Sequence, residues 1–201
     1  MKLYYSPGAC SLSPHIILNE GGFSYDLERV DFASKTTDTG VDFLNINPKG
    51  YVPALRLDDG QILTEGPAIV QYLADRVPEK QLVPPAGSLA RYRLMEWLNF
   101  ISTELHKGFG ALFNRTAPDA WKDTVKTLLA KRFHYVSTEL GEHPWLMGDT
   151  FSVADAYLFT VLRWGDHVGV DLSPQPVLTA YLARVAARPA VQATLKAEGL
   201  I

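Results

Sequence analysis

The residues of this chain that can do chemistry are few and unevenly placed. Its one cysteine lies in Leu3-Tyr4-Tyr5-Ser6-Pro7-Gly8-Ala9-Cys10-Ser11-Leu12-Ser13-Pro14, a strand end, a Pro-Gly break and a helix start in quick succession. A thiol at a helix N-terminus sees the positive end of the backbone dipole and open N–H groups, which predicts a lowered pKa for Cys10. With no second cysteine in the 201 residues, a disulfide to Cys10 must come from an outside thiol. Cys10-Ser11-Leu12-Ser13 has the spacing of a Cys-x-x-Cys redox pair with Ser13 replacing the second sulfur. A mixed disulfide there would persist until an external thiol resolved it.

Three further groups carry binding chemistry. Pro53 lacks an N–H and so marks the boundary of a strand. A cis Val52-Pro53 bond would turn the Val52 backbone outward to pair with an extended peptide; the trans form, usual for X-Pro bonds, is the expectation from the residues alone. Glu65-Gly66 opens a helix, where Gly66 N–H suits a ligand carboxylate and Glu65 a ligand ammonium, or simply complements the dipole. Asn99, Thr103, His106 and Lys107 fall at i, i+4, i+7 and i+8, one polar helix face rotated away from Leu94, Leu98, Ile101 and Leu105. That face offers an amide, a hydroxyl, an imidazole and an ammonium, with His106 able to exchange a proton with a nearby sulfur.

The remaining histidines, His15, His134, His143 and His167, show no metal-ligand spacing, and no metal is expected. There is no Gly-rich phosphate loop and no Gly-x-Ser-x-Gly elbow. A net charge of −3 with dispersed basic residues argues against a nucleic-acid partner. Met1 to Tyr5 runs straight into Ser6-Pro7-Gly8, leaving no apolar segment of a secretory signal, and no apolar run approaches a membrane span. With a single cysteine, these features suggest a cytoplasmic protein.

The elements that must position these groups follow from periodicity and punctuation. Strand signals at Lys2 to Tyr5 and Ser24 to Val30 flank a helix from Ser11 to Glu20, closed by Gly21-Gly22. A short helical piece near Val41 to Asn45 precedes a hairpin, Val52 to Leu57 and Gln61 to Thr64, turned by Asp58-Asp59-Gly60. A helix with Pro67 in its first turn then runs to Pro78. The order is β-α-β-α-β-β-α over residues 1–77. Residues 78–87, rich in Pro and Gly, read as a linker, and 88–201 as an all-helical domain. Its long helices span Ser88 to Gly110 and Asp119 to Leu140, with shorter ones at Val177 to Ala187 and Val191 to Glu198. Ser152-Val153-Ala154-Asp155 is a capping box before a segment, Ala156 to Leu162, apolar almost all round and therefore central.

Taken together, Tyr4 to Ser11, Asn47-Pro48-Lys49-Gly50-Tyr51-Val52-Pro53-Ala54-Leu55, Leu63-Thr64-Glu65-Gly66, Glu96 to Asn99, Thr103 to Lys107 and Phe151 to Tyr157 resemble the bacterial beta class of cytosolic glutathione transferases over essentially the whole chain. The resemblance implies a glutathione transferase fold: a thioredoxin-like N-terminal domain, an all-α helical bundle and a homodimer. It implies glutathione as co-substrate, conjugated to small hydrophobic electrophiles in detoxification. Cys10 matches the cysteine that holds glutathione as a mixed disulfide, Val52 before a cis Pro53 the residue pairing with its cysteinyl part, Glu65 and Gly66 the γ-glutamyl binders, and Lys35 a contact to the glycyl end. Asn99, Thr103, Glu104, Leu105, His106 and Lys107 match residues lining the glutathione site, and Tyr5, Phe109 and Trp164 are implied around the second substrate. Cys10, His106 and Tyr5, with Ser11 by analogy to other classes, compete to stabilise the glutathione thiolate. Two adjacent thiolates would repel, so Cys10 suits thiol–disulfide exchange while His106 and the Cys10 N–H suit conjugation. The alternatives are a glutathione-dependent reductase, peroxidase or dehalogenase, or a non-catalytic ligand binder of the same fold.

Overall fold

The computed structural model describes residues 1–201 and divides them into two compact units, Met1–Lys80 with Ala187–Ile201, and Gln81–Ala186. In the first unit, β1 (Lys2–Tyr5), β2 (Asp26–Arg29), β3 (Ala54–Arg56) and β4 (Ile62–Thr64) form one sheet in the order β2-β1-β3-β4. β1 pairs parallel to β2 and antiparallel to β3, with Leu3 opposite both Leu27 and Leu55. The parallel pair needs a crossover, and α1 (Leu12–Gly21) supplies it. Gly22, in the left-handed conformation at φ 69°, closes α1 as the Gly21-Gly22 signal predicted. A 3₁₀ turn, Phe43–Asn45, stands where a short helix was expected, and α2 (Gly66–Asp75) follows β4 with Pro67 in its first turn.

The second unit is helical. It holds α3 (Leu89–Phe100), α4 (Lys107–Phe113), α5 (Asp119–Leu140), α6 (Val153–Leu162), α7 (Gly165–Val168) and α8 (Pro176–Ala186). Every residue of α6 is buried, as its continuous apolar pattern predicts. The capping box is present: the Asp155 carboxylate accepts Ser152 N–H and Ser152 Oγ, each at 2.8 Å. Its other oxygen accepts Leu146 N–H at 2.9 Å and Tyr181 O–H at 3.0 Å, so one buried carboxylate ties α6 to the preceding loop and to α8.

Two sequence expectations are corrected here. The last helix, α9 (Pro189–Ala197), belongs with the first unit rather than with the helical domain assigned to 88–201. It packs along α1: Arg188 forks onto Glu20 at 2.6 and 2.9 Å, and Asn19 donates to Thr194 at 2.7 Å. Local periodicity identifies such a helix but not the partner that buries its apolar face. The long helix read from Ser88 to Gly110 is interrupted by a π-helical segment, Ile101–His106, in which Lys107 N–H reaches back five residues to Ser102 C=O. Each π turn takes in extra backbone, so side chains beyond it are rotated from where a 3.6-residue period puts them. The single face drawn through Asn99, Thr103, His106 and Lys107 therefore does not continue unbroken.

Candidate functional site

In the first unit the loop bearing Cys10 is tied down on several sides. Ser6 N–H donates to Ser11 Oγ at 3.1 Å, and that hydroxyl returns to Ser6 C=O at 3.2 Å. Both capacities of Ser11, which is fully buried, are thus spent on the loop, and it is not placed to activate a thiol. Gly8, at φ 70°, donates its N–H to Glu198 Oε2 at 2.9 Å, while Glu198 Oε1 lies 2.7 Å from His15 Nδ1. Nothing in the sequence signals this Glu198–His15 pair, because its members lie at opposite ends of the chain.

Cys10 itself departs from expectation. α1 begins at Leu12, past the cysteine, and the thiol donates to Val52 C=O at 3.1 Å. Burial pushes the Cys10 thiol up to about 12, outweighing the N–H groups of Cys10 and Ser11 that favour the thiolate. Desolvation of a full charge exceeds what two backbone dipoles return. The resting group is a thiol rather than the predicted thiolate. Tyr5, half-buried with its ring edge against His15, also has a raised pKa, chiefly through burial and then through the charges of Glu198 and Asp38.

Val52 joins Cys10 from the other side of the loop. The Val52-Pro53 bond is cis, as the family resemblance implied and contrary to the expectation from the residues alone. The Val52 side chain is buried with Tyr4, Val30, Phe43 and Ala54, which anchors the residue while its backbone stays outside the β3 ladder. The open end of α2 lies in the same unit. Ala68 and Ile69 both donate to Glu65 C=O and Pro67 has no N–H, so Gly66 N–H is the donor left at the helix mouth. Glu65 holds φ 70°, a conformation rare outside glycine, and its exposed carboxylate pairs with Lys49 Nζ at 2.6 Å. Lys35, also left-handed at φ 56°, donates its ammonium to Gly50 C=O at 3.1 Å. Non-glycine residues in this region cluster where a ligand is clamped.

In the second unit, the π segment carries the polar group. His106 Nδ1 is 2.6 Å from the hydroxyl of Tyr157, and its ring meets Trp164 edge-on at 4.8 Å between centroids. Thr103 and Lys107 are exposed, Thr103 donating to Asn99 C=O at 3.1 Å. Glu104 is paired with Arg132 at 2.7 Å. Leu105 and Phe109 are fully buried, so neither side chain lines an open site; both had been placed there by resemblance. Phe109 instead supports Trp164 and Phe113 from behind, and Phe113 is the exposed member of that aromatic group. Sequence reasoning missed Tyr157, whose one signal is a hydroxyl in an otherwise apolar helix, and Lys49, which reads as an ordinary surface lysine. No group of three or more His, Cys, Asp or Glu side chains is arranged to hold a metal ion.

Two family models match the chain, the glutathione S-transferase N-terminal domain over residues 8–76 and the glutathione S-transferase C-terminal domain over 100–189. The chain belongs to the glutathione S-transferase family. It is 52% identical over 200 residues, covering 100% of both chains, to the glutathione S-transferase GstA of Escherichia coli O157:H7. Among solved structures it is similar to the bacterial beta class glutathione S-transferase of Sphingomonas chungbukensis, at 49% identity and a TM-score of 0.97 with 100% of each chain covered. A sphingomonad glutathione S-transferase complexed with glutathione matches at 47% identity and a TM-score of 0.96, again over 100% of both chains. The expected fold, an α/β thioredoxin-like unit followed by an all-helical one, is that of this family.

Proposed function

We propose that the protein conjugates reduced glutathione to small hydrophobic electrophiles. The observation that carries this reading is the mouth of α2, where Gly66 N–H and the Glu65 carboxylate stand side by side with Glu65 held at φ 70°. A donor for a carboxylate beside an acceptor for an ammonium is what the free amino-acid end of a γ-glutamyl peptide requires. Val52, beside the cis bond, would pair with the cysteinyl backbone, and Lys35 would meet the glycyl carboxylate. Asn99, Thr103, Glu104, His106 and Lys107 would contribute from the second unit, Leu105 only through its backbone.

The reaction needs glutathione as a thiolate, hence donors and positive charge at its sulfur. His106 can supply an N–H, and Cys10 in its protonated form can donate S–H to a neighbouring thiolate without repelling it. The protonated state of Cys10 thus removes the conflict between two adjacent thiolates. Cys10 would serve a second, redox reaction: attack on glutathione disulfide forms a Cys10–glutathione disulfide and expels one glutathione thiolate, and a further glutathione resolves the adduct. Tyr5, Trp164 and the exposed Phe113 would contact the electrophile.

A homodimer fits the exposed Leu89, Tyr92 and Met95 of α3 and the groove of about 710 Å³ walled by Trp97, Phe100, Arg132 and Tyr135. No helix is long and apolar enough to cross a membrane, and the single cysteine fits a cytoplasmic detoxifying enzyme. The test is a conjugation assay with an activated aryl chloride, run beside glutathione-dependent disulfide reduction. The wild type conjugates with saturable dependence on glutathione, and Cys10→Ala keeps conjugation while losing disulfide reduction. Absence of any glutathione-dependent rate would sink the proposal, and the opposite pattern in Cys10→Ala would exchange the two roles.

A further inference from the structure

The imidazole of His106 is held by a residue that the family motifs do not place in the site. Tyr157 lies at the middle of α6, a helix buried along its whole length, and is itself only 3% exposed. A buried tyrosine hydroxyl needs a hydrogen-bond partner, and here it is 2.6 Å from His106 Nδ1. The two rings meet at 78°, and Trp164 packs against the imidazole from another direction at 74°. The ring is therefore fixed both in plane and by one of its nitrogens.

The support behind Tyr157 is rigid. Two residues before it, Asp155 receives Ser152 N–H, Ser152 Oγ, Leu146 N–H and Tyr181 O–H, which locks the first turn of α6. His106, by contrast, ends a π-helical segment, where the backbone ladder is irregular and constrains a side chain poorly. A side chain on such a segment takes its orientation from tertiary partners.

We propose that Tyr157 is a positioning residue for the transfer reaction: its hydroxyl donates to His106 Nδ1, which places the proton of the neutral imidazole on Nε2. This rests on the reading above that His106 acts at the glutathione sulfur. A neutral imidazole has one N–H, and the partner at one nitrogen decides where it sits. An N–H on Nε2 can donate to a thiolate, whereas a ring with its proton on Nδ1 would present a lone pair to that anion.

Tyr157→Phe removes the hydroxyl and keeps the ring, so the packing of α6 is retained. In ¹⁵N spectra of the imidazoles, with His106 assigned by its loss in His106→Ala, the wild type shows Nε2–H and a bare Nδ1. Tyr157→Phe shows a mixture of the two tautomers. In the conjugation assay, Tyr157→Phe lowers kcat about threefold to tenfold while KM for glutathione stays within twofold. Added to His106→Ala, the same substitution lowers kcat no further. An unchanged tautomer in Tyr157→Phe, or an undiminished loss of kcat in the His106→Ala background, would overturn the proposal. Should His106→Ala leave kcat intact, the role of His106 at the sulfur fails, and Tyr157 as a positioning residue for the reaction fails with it. A tautomer shift in the same experiment would then show the Tyr157–His106 bond to be purely structural.

Discussion

Two carboxylates stand at the mouths of two helices, and they behave in opposite ways. Asp155, in the first turn of α6, is fully buried and receives two backbone N–H groups and two hydroxyls. Glu65, before α2, is exposed, meets one exposed lysine, and sits on a backbone at φ 70°. Burial raises the pKa of Asp155, while its four donors pull the other way. A carboxylate saturated by its own protein has no capacity left for a ligand. One held out on a strained backbone beside an open N–H does. Satisfaction, more than proximity to a helix end, separates a structural cap from a binding group.

The sharpest test of this contrast is Asp155→Ala. It leaves Leu146 N–H, Ser152 N–H and two hydroxyls without their acceptor in the core, and should cost about 3–5 kcal/mol in denaturant unfolding. Glutathione affinity of the molecules that remain folded should be unchanged by calorimetry. Glu65→Gln should do the reverse, weakening glutathione binding about tenfold to a hundredfold through loss of a charge-assisted bond while stability moves by less than about 0.5 kcal/mol. If Glu65→Gln unfolded the protein as readily as Asp155→Ala, the distinction between cap and clamp would collapse.

A third test asks whether the thiol near the clamp is itself satisfied. Its pKa of about 12 lies above the ordinary value, so the protonated form dominates through neutral and mildly alkaline pH. Alkylation of ligand-free protein at Cys10 should keep rising about tenfold per pH unit from pH 7 to about pH 10, without the plateau an ordinary thiol reaches near its pKa of about 8.5. A plateau near neutrality would restore the thiolate expected from the loop's position. The smallest effect belongs to Gly66→Ser. A Cβ at Gly66 would lie 3.9 Å from Pro53 Cγ, an ordinary contact, so stability should change by less than about 0.5 kcal/mol and glutathione binding by less than about threefold. A large loss would mean that the mouth of α2 is tighter than its geometry indicates.

Much of the molecule was legible before folding. Asp119–Leu140 announced itself by periodicity, the Gly21-Gly22 stop by the lack of a Cβ, and Ser152–Asp155 by the reciprocal chemistry of a capping box. The site's residue types were legible too, because Cys10, Val52-Pro53 and Glu65-Gly66 lie in short segments that resemble a known family. What escaped was everything decided at a distance. Leu105 and Phe109 lie within the motif region, yet the core claims their side chains.

The sequence by itself determined the local order: which segments are strands or helices, where they start and stop, and which residues stand at their mouths. These depend on interactions within a few residues, which side-chain type and spacing encode directly. Only the tertiary structure decided that Cys10 rests as a thiol on Val52, that His106 leans on Tyr157, and that Glu198 reaches back to Gly8 and His15. Each of these pairs joins residues far apart in the chain. Desolvation and hydrogen-bond geometry at such contacts are set by the packing of whole elements, and no local pattern records them.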